Sequence, residues 1–123
     1  MVMTTISPER FAVELSRLAG DNKCEDVTAM DLRGRSSVTD FFVVCSGTSD
    51  RQMRSTADAM IEHAKKLGER PYGLSGYRNA QWILIDFIDV VVHIFTTEQH
   101  KFYDLELLWG DAPRLSLARS ASA

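Results

Sequence analysis

With 123 residues, 45% of them hydrophobic and 25% charged, the sequence is long enough for one compact domain and too short for two. Its net charge of −3 argues against nucleic-acid binding as the main role, because neutralising phosphates requires a basic surface, and it favours a basic protein partner. No apolar run is long enough to span a membrane and no signal-peptide pattern is visible, so we expect a soluble cytoplasmic protein that does not act at a membrane.

The first half of the chain predicts one helix and two strands. Ser7 followed by Pro8 is typical of a helix start, and apolar residues at helical spacing continue the helix to Gly20. Residues 25–32 predict a strand that ends in a polar turn. Residues 41–45, FFVVC, form a continuous apolar run, which predicts a central strand buried on both faces of a covered sheet.

A long helix and a weak strand come next. Apolar residues keep helical spacing from about residue 50, and Gly68 ends this second helix. Residues 70–74 predict a short strand, followed by a polar loop.

The last third predicts a hairpin and a short helical segment. Residues 82–85 and 90–95 predict two strands, and Asp86-Phe87-Ile88-Asp89 predicts the turn between them. Residues 98–110 predict one or two short helices, with Phe102, Leu105, Leu108 and Trp109 at helical spacing.

The order of elements is therefore α-β-β-α-β-β-β-α, without an internal repeat. Strands and helices mixed in this way predict an α/β or α+β fold with a five-stranded mixed sheet covered by helices. We expect one domain over residues 7–113, a flexible N-terminus over residues 1–6 and a flexible tail of low complexity over residues 114–123.

The turn Gly47-Thr48-Ser49 between a buried strand and a helix has two interpretations. Such a turn can hold a phosphate at the helix N-terminus, and followed by paired carboxylates on a strand it is typical of nucleotidyltransferases. Alternatively, Ser49 and Gln52 form a capping box. We favour the cap, because Asp50 opposes a bound anion and no Lys-Ser/Thr pair follows the glycine.

The hairpin run QWILIDFIDVVVHIF carries residue types that bind metals or move protons. Asp86, Asp89 and His93 converge if their faces coincide across the hairpin, but two acids at a turn and one histidine do not by themselves make a metal site. We interpret the acids as turn formers and His93 as a half-buried sheet residue, and expect no cofactor. Trp82 fits either the core or a protein interface.

Other nucleophiles and bases are interpreted as structural. Ser46 lies near no obvious base along the sequence, so no nucleophile triad is evident. His63 falls off the apolar stripe of the second helix, and His100 stands beside Lys101, so we expect both histidines at the surface.

Five sequence blocks carry a family resemblance that covers about residues 7–113. They are TDFFVV from Thr39, SGTSDRQ from Ser46, WILID from Trp82, DVVVH from Asp89 and FYDLELLW from Phe102. In this order and spacing, the blocks resemble the ribosomal silencing factor family, also called RsfS or Iojap.

The resemblance implies a translational repressor without enzymatic activity. Family members bind the large ribosomal subunit through ribosomal protein L-fourteen, on the face where the small subunit joins. By occupying this face they block subunit joining and lower translation when nutrients are short. The resemblance also implies a nucleotidyltransferase-like fold without that superfamily's paired strand carboxylates, and an ability of the free protein to form homodimers.

The family's partner-facing region can be transferred to this sequence residue by residue. The resulting partner-binding set is Trp82, Ile83, Asp86, Asp89 and His93, with Tyr103 and Arg51 added.

Two departures from the family pattern stand out. The usual turn Asp-Leu-Gly-Asp is Asp86-Phe87-Ile88-Asp89 here, and because Ile88 does not readily adopt a positive φ, we expect a different turn geometry. His100 replaces a usual arginine, which puts the arginine's ion pair in question.

A rival hypothesis is a nucleotidyltransferase-type enzyme. It would use Ser49 of the Gly-Thr-Ser turn with a pair of carboxylates from Asp40, Asp86 and Asp89 to bind a magnesium nucleotide.

Overall fold

A computed structural model describes residues 6–118 of the chain. Its five-stranded mixed sheet with flanking helices confirms the predicted fold class and order of elements. The elements are α1 (Pro8–Asp21), β1 (Glu25–Asp31), β2 (Phe41–Gly47), α2 (Asp50–Lys66), β3 (Gly73–Ser75), β4 (Trp82–Asp86), β5 (Val90–Thr96), α3 (Thr97–Phe102) and α4 (Leu105–Leu108).

The sheet has the strand order β1-β2-β5-β4-β3. The central pair β2 and β5 is parallel, and the other neighbours are antiparallel. Phe41 to Gly47 pair in register with Val90 to Thr96. The continuous apolar run of β2 therefore lies in the interior of the sheet, as predicted.

Both long helices begin at the predicted serine caps. The Ser7 hydroxyl accepts the backbone N–H of Arg10 at 3.1 Å at the start of α1. At the start of α2, the Ser49 hydroxyl accepts the N–H of Gln52 at 3.1 Å, and the Gln52 side chain accepts the N–H of Thr48 at 2.6 Å. The predicted cap is confirmed, with the returning bond shifted one residue toward the strand.

The two faces of the sheet carry cores of different size. On the first, called the helical face, α1 and α2 pack against strand residues that include Val43, Ile83, Ile85, Val92 and Ile94, all fully buried. On the other, called the aromatic face, α3 and α4 lie over a smaller cluster. That cluster contains Met30, Leu32, Val44, Phe95 and Ala112, with Phe42, Trp82, Leu105 and Trp109 packed against it.

The chain beyond the predicted domain end stays beside β1. Arg114 forms an isolated bridge with Met30, and the N–H of Leu115 donates to the carbonyl of Ala29 at 2.8 Å. Arg17 of α1 donates to the carbonyl oxygens of Leu117 and Ala118. The flexibility expected for residues 114–118 stays a prediction. Residues 119–123 of the expected tail lie outside the residues that the structure describes.

The predicted flexible N-terminus falls almost entirely outside the description. Residues 1–5 are not among the described residues, and Ile6 packs against the core of the helical face. No helix among residues 6–118 combines the length and the apolar character that crossing a bilayer requires.

Two local expectations were wrong. The weak strand predicted at residues 70–74 forms at Gly73–Ser75, where it pairs with the end of β4. His63 is not simply solvated, since its Nε2 lies 2.7 Å from a carboxylate oxygen of Glu14 on α1 and links the two long helices.

Candidate functional site

Trp82, His93 and Tyr103 come together on the aromatic face. Trp82 begins β4 directly opposite Phe95 of β5, with the two ring centroids 4.9 Å apart. The indole N–H of Trp82 donates to Nδ1 of His93 at 3.1 Å, and the ring of Tyr103 lies 4.7 Å from the indole ring. Tyr103 is exposed and Trp82 half-buried, so a partner can reach both rings.

His93 supports this group from beneath. Its side chain is buried, not half-buried as expected from the sequence, and burial lowers its pKa from 6.5 to about 4. The ring is therefore neutral at physiological pH. Because Nδ1 accepts from Trp82, the proton lies on Nε2, which has no hydrogen-bond partner among residues 6–118.

Large apolar side chains are exposed on the segment from α3 to α4. Phe102, Leu107 and Leu108 have 77%, 76% and 73% of their surface exposed, and the ring of Phe102 lies 4.8 Å from that of Tyr103. Sequence reasoning placed Phe102 and Leu108 on one apolar stripe with Leu105. The chain forms two short helices, one of the two predicted outcomes, and its break at Tyr103 and Asp104 separates Phe102 from Leu105, which packs against the cluster of the aromatic face.

Leu84 extends the group along β4. It lies between Trp82 and Asp86 on the same face of the strand, is half-buried and pairs with His93 of β5. The predicted partner-binding set did not include Leu84, although the alternation of side chains along a strand places it on the same face as Trp82.

Asp86 and Asp89 form the hairpin turn, as interpreted from the sequence. The Asp86 carboxylate accepts the N–H of Ile88 at 2.7 Å, and the carbonyl of Asp89 accepts the N–H of Phe41 at 3.0 Å. Four residue steps of β4 separate Asp86 from Trp82, a distance of about 13 Å. The two acids therefore border the apolar group at a distance rather than meet the Trp82 ring.

The turn keeps a left-handed residue although no glycine is present. Ile88 has φ 76° and is exposed, so the expectation that Ile88 would avoid a positive φ was wrong. The hydrogen bond from Ile88 to the Asp86 carboxylate, and that from the Phe87 N–H to the carbonyl of Val90, hold this conformation in place.

Two of the predicted partner-binding residues lie elsewhere. Ile83 is fully buried on the helical face, because alternation along β4 turns it away from Trp82, and its side chain is not available to a partner. Arg51 is exposed on the first turn of α2. This turn follows Gly47, whose pairing with Thr96 places Arg51 at the same end of the sheet as Trp82.

His100 is buried, not at the surface as predicted. Its Nδ1 is within hydrogen-bond distance of the Ser46 hydroxyl, and its Nε2 lies 2.8 Å from the carboxylate of Glu106. Ser46 therefore has a base beside it, which sequence reasoning missed because 54 residues separate the two. The array does not present a nucleophile, since Ser46 is fully buried within β2.

The residues of the rival enzymatic hypothesis lie at opposite ends of the sheet. Ser49 follows the end of β2, whereas Asp40 precedes its start and Asp86 and Asp89 lie at that same end. The seven residues of β2 span about 20 Å at ~3.3 Å per residue. Within residues 6–118, no group of three or more His, Cys, Asp or Glu side chains is arranged to hold a metal ion.

Comparison with known proteins agrees with the family resemblance. The model of a family described as "Ribosomal silencing factor during starvation" matches residues 5–123. The ribosomal silencing factor RsfS of Halalkalibacterium halodurans is 42% identical over 97 residues, which cover 79% of this chain and 83% of that protein. RsfS of Bacillus subtilis is 40% identical over 97 residues, covering 79% of this chain and 82% of that protein.

The fold agrees as well. A crystal structure of a protein from Chromobacterium violaceum superposes with a TM-score of 0.81 at 27% identity, over 95% of this chain and 97% of that one. The structural similarity thus covers more of the chain than the two sequence relatives do. The chain belongs to the RsfS family of ribosomal silencing factors.

Proposed function

We propose that this protein binds the large ribosomal subunit through ribosomal protein L-fourteen and sterically blocks joining of the small subunit. Translation would then fall under nutrient limitation, in the cytoplasm where ribosomes act. The block needs no turnover, nucleotide or metal, because occupancy alone excludes the small subunit. Family membership supports the ribosomal role, and the aromatic face supplies the candidate contact surface.

The observation that carries this proposal is the exposed apolar surface on the aromatic face. We define the docking surface as Trp82, Leu84, Phe102, Tyr103, Leu107 and Leu108. Large aromatic and aliphatic side chains of this kind are the usual anchors of protein interfaces. Exposed apolar groups on a protein of this size mark an interaction site, since they contribute little to the stability of the free chain.

Acidic groups around the docking surface fit a basic partner. Asp104 is exposed between α3 and α4, and Asp86 and Asp89 lie at the far end of β4. The chain as a whole has a sequence pI near 5.5. Ribosomal proteins are generally basic, so these acids would speed association and orient the partner more than they would add to affinity.

Co-sedimentation with purified large ribosomal subunits tests the proposal. Trp82→Ala and Tyr103→Ala remove aromatic anchors and should each weaken binding by about tenfold or more, the usual effect of losing an interface anchor. Val38→Ala is the matched control, because Val38 is an apolar residue, 84% exposed, in the β1–β2 connection and is not part of the docking surface. Absence of binding by the unaltered protein would refute the proposal.

A second assay separates binding from silencing. Light scattering follows the joining of purified small and large subunits, and the unaltered protein should lower the yield of joined ribosomes in proportion to its occupancy. Trp82→Ala should lose this effect together with binding. Binding that leaves subunit joining unaffected would contradict the steric block while leaving the contact surface in place.

Self-association of the free protein through the same surface is part of this proposal. Two copies that pair through apolar groups would bury them until a ribosomal partner competes. Analytical ultracentrifugation should then show a dimer that Tyr103→Ala weakens and Val38→Ala does not. A monomer at all accessible concentrations would contradict self-association but would not bear on the proposal of ribosome binding.

A further inference from the structure

Three side chains from three elements form a hydrogen-bonded array beneath the docking surface. Ser46 comes from the middle of the sheet in β2, His100 from α3 and Glu106 from α4. His100 Nε2 lies 2.9 and 2.8 Å from the two carboxylate oxygens of Glu106, and His100 Nδ1 contacts the Ser46 hydroxyl. The array joins the two short helices to the most buried layer of the fold.

The hydrogen-bonding capacity of the histidine is fully used. A carboxylate only accepts, so Nε2 carries a proton and donates to Glu106. In the neutral ring Nδ1 then accepts from the Ser46 hydroxyl, which is fully buried. Charge-assisted hydrogen bonds of this kind are stronger than neutral ones, and here the histidine is buried while Glu106 is half-buried.

The array brackets the part of the chain that carries the docking surface. Tyr103 and Asp104 lie between His100 and Glu106, and Leu107 and Leu108 follow directly. Apolar packing of α4 comes from half-buried residues, since Leu105 packs against the cluster of the aromatic face and no residue of α4 is fully buried. Helices of six and four residues are not stable on their own, so their position depends on such side-chain bonds.

Other contacts also hold the segment, since the ring of Tyr103 lies 4.7 Å from that of Trp82 and Leu105 packs against the cluster of the aromatic face. Arg114 donates to the backbone carbonyl of Glu106 at 3.2 Å from the chain beyond α4, and the His100 ring stacks on Phe95 at 5.4 Å. Neither contact fixes the Glu106 side chain relative to α3. The pair of His100 and Glu106 links α3 directly to α4, so it contributes to the angle between the two short helices and to the spacing of Tyr103 and Leu107.

We propose that the Ser46–His100–Glu106 array is a positioning device that holds the α3–α4 segment in the conformation that the partner binds. The proposal rests on the proposed function for its partner. His100 and Glu106 act through Tyr103 and the exposed leucines, not by contacting the partner themselves. The array also restricts which partner surfaces can bind, because the segment presents its apolar side chains at one fixed spacing.

Three substitutions at two positions test the array. Glu106→Ala removes the acceptor, whereas Glu106→Gln keeps a carbonyl oxygen that accepts the His100 N–H but removes the charge. Ser46→Ala removes the buried hydroxyl and leaves His100 Nδ1 unpaired. Glu98→Ala is the control for charge, since Glu98 is an exposed acid in the first turn of α3 and lies outside the array.

Binding of purified large ribosomal subunits is the first measurement. Glu106→Ala and Ser46→Ala should weaken binding about tenfold, in line with the loss of one charge-assisted or buried hydrogen bond. Glu106→Gln and Glu98→Ala should stay within about threefold of the unaltered protein, since neither breaks the array. Equal losses for Glu106→Gln and Glu106→Ala, with hydrogen exchange in α3 and α4 unchanged in Glu106→Gln, would show that the charge acts on the partner directly, which overturns the positioning role.

Hydrogen exchange of the free protein is the second measurement and needs no ribosome. In Glu106→Ala and Ser46→Ala, backbone amides of α3 and α4 should exchange about tenfold faster, while those of α1 and α2 keep their protection. Unchanged exchange in α3 and α4 would overturn the inference even if the unaltered protein binds. Faster exchange in a protein that fails to bind the ribosome would leave the array standing and refute the proposed function.

Discussion

The helical and aromatic faces of the sheet share the same strands but differ in what covers them. On the helical face, α1 and α2 bury aliphatic residues such as Ile83 and Ile94 completely. On the aromatic face, polar groups such as His93 and Ser46 are buried while Phe102 and Leu108 are exposed. The helical face therefore contributes most of the apolar burial that stabilises the fold. The aromatic face contributes less, because some of its large apolar side chains stay exposed to solvent.

Alternation along β4 makes this division possible within five residues. Ile83 and Ile85 point to the helical face, and Trp82 and Leu84 point to the aromatic face. Substitutions at adjacent residues of β4 should thus affect different properties of the protein. Substitutions on the helical face should change the free energy of unfolding, and those on the aromatic face should mainly change binding.

The largest stability effect is expected for Ile83→Ala. Removing a fully buried side chain leaves a cavity, and the free energy of unfolding should fall by about 3 to 4 kcal/mol. Leu84→Ala, at the half-buried neighbouring position, should cost less than half as much because the site is open to solvent on one side. Urea denaturation followed by circular dichroism measures both. Equal losses of unfolding free energy at the two positions would contradict the proposed difference between the helical and aromatic faces.

A pH effect of nearly the same size should come from His93. Because burial lowers its pKa to about 4 in the folded protein from 6.5, the unfolded chain binds the proton more tightly. Stability is therefore full above pH 6.5 and falls as the pH drops from 6.5 toward 4, by roughly 3 kcal/mol.

The variant His93→Gln isolates this contribution. Its side-chain oxygen can still accept the Trp82 indole N–H, but it does not titrate. Subtracting its unfolding free energy from that of the unaltered protein at each pH removes the effects of the other acids and bases. A difference that stays constant between pH 7 and pH 4 would contradict a buried neutral histidine under Trp82.

A smaller effect should come from Gly76, which lets the loop before β4 approach Trp82. Gly76 has φ 76°, and a Cβ there would lie 1.9 Å from the carbonyl oxygen of Trp82. Gly76→Ala should cost about 2 kcal/mol and displace the start of β4, so binding should weaken as well. Gly20→Ala is the matched control, since nothing lies within 4 Å of a Cβ at that position in α1. Differential scanning calorimetry compares the two variants, and equal melting temperatures would contradict this account.

Much of the fold could be predicted because its signals are local. Ser49 and Gln52 lie three residues apart, and their capping of α2 does not depend on what the helix packs against. The apolar run from Phe41 to Cys45 likewise identifies an interior strand. Residues 70–74 were harder to place, because the three-residue strand that forms at Gly73–Ser75 depends on pairing with β4.

The site could be predicted only in part. Family resemblance predicted Trp82 and Tyr103, whose rings lie together on the aromatic face, but it also included the fully buried Ile83, because matching a sequence block does not show which face of the strand is open. The burial of His100 was missed because its partner Ser46 is distant in sequence, and a histidine beside a lysine has the pattern of a surface residue. Contacts between distant residues carry no signal in a single sequence.

The smallest stability change is expected at the hairpin turn, at the opposite end of β4 from Trp82. Ile88 adopts φ 76° with its side chain 57% exposed, a conformation that costs a branched residue about 1 to 2 kcal/mol and that packing does not offset. Ile88→Gly removes this cost but adds backbone entropy to the unfolded chain, so a net gain of about 0.5 to 1 kcal/mol in the free energy of unfolding is expected. Ile88→Ala keeps the Cβ and should gain less. Urea denaturation measures both variants, and a less stable Ile88→Gly protein would contradict the strain at this turn.

Binding of Ile88→Gly to large ribosomal subunits tests how far the contact extends along β4. Only a partner that reaches past Asp86 would bind this variant more weakly, because only such a partner contacts the exposed isoleucine.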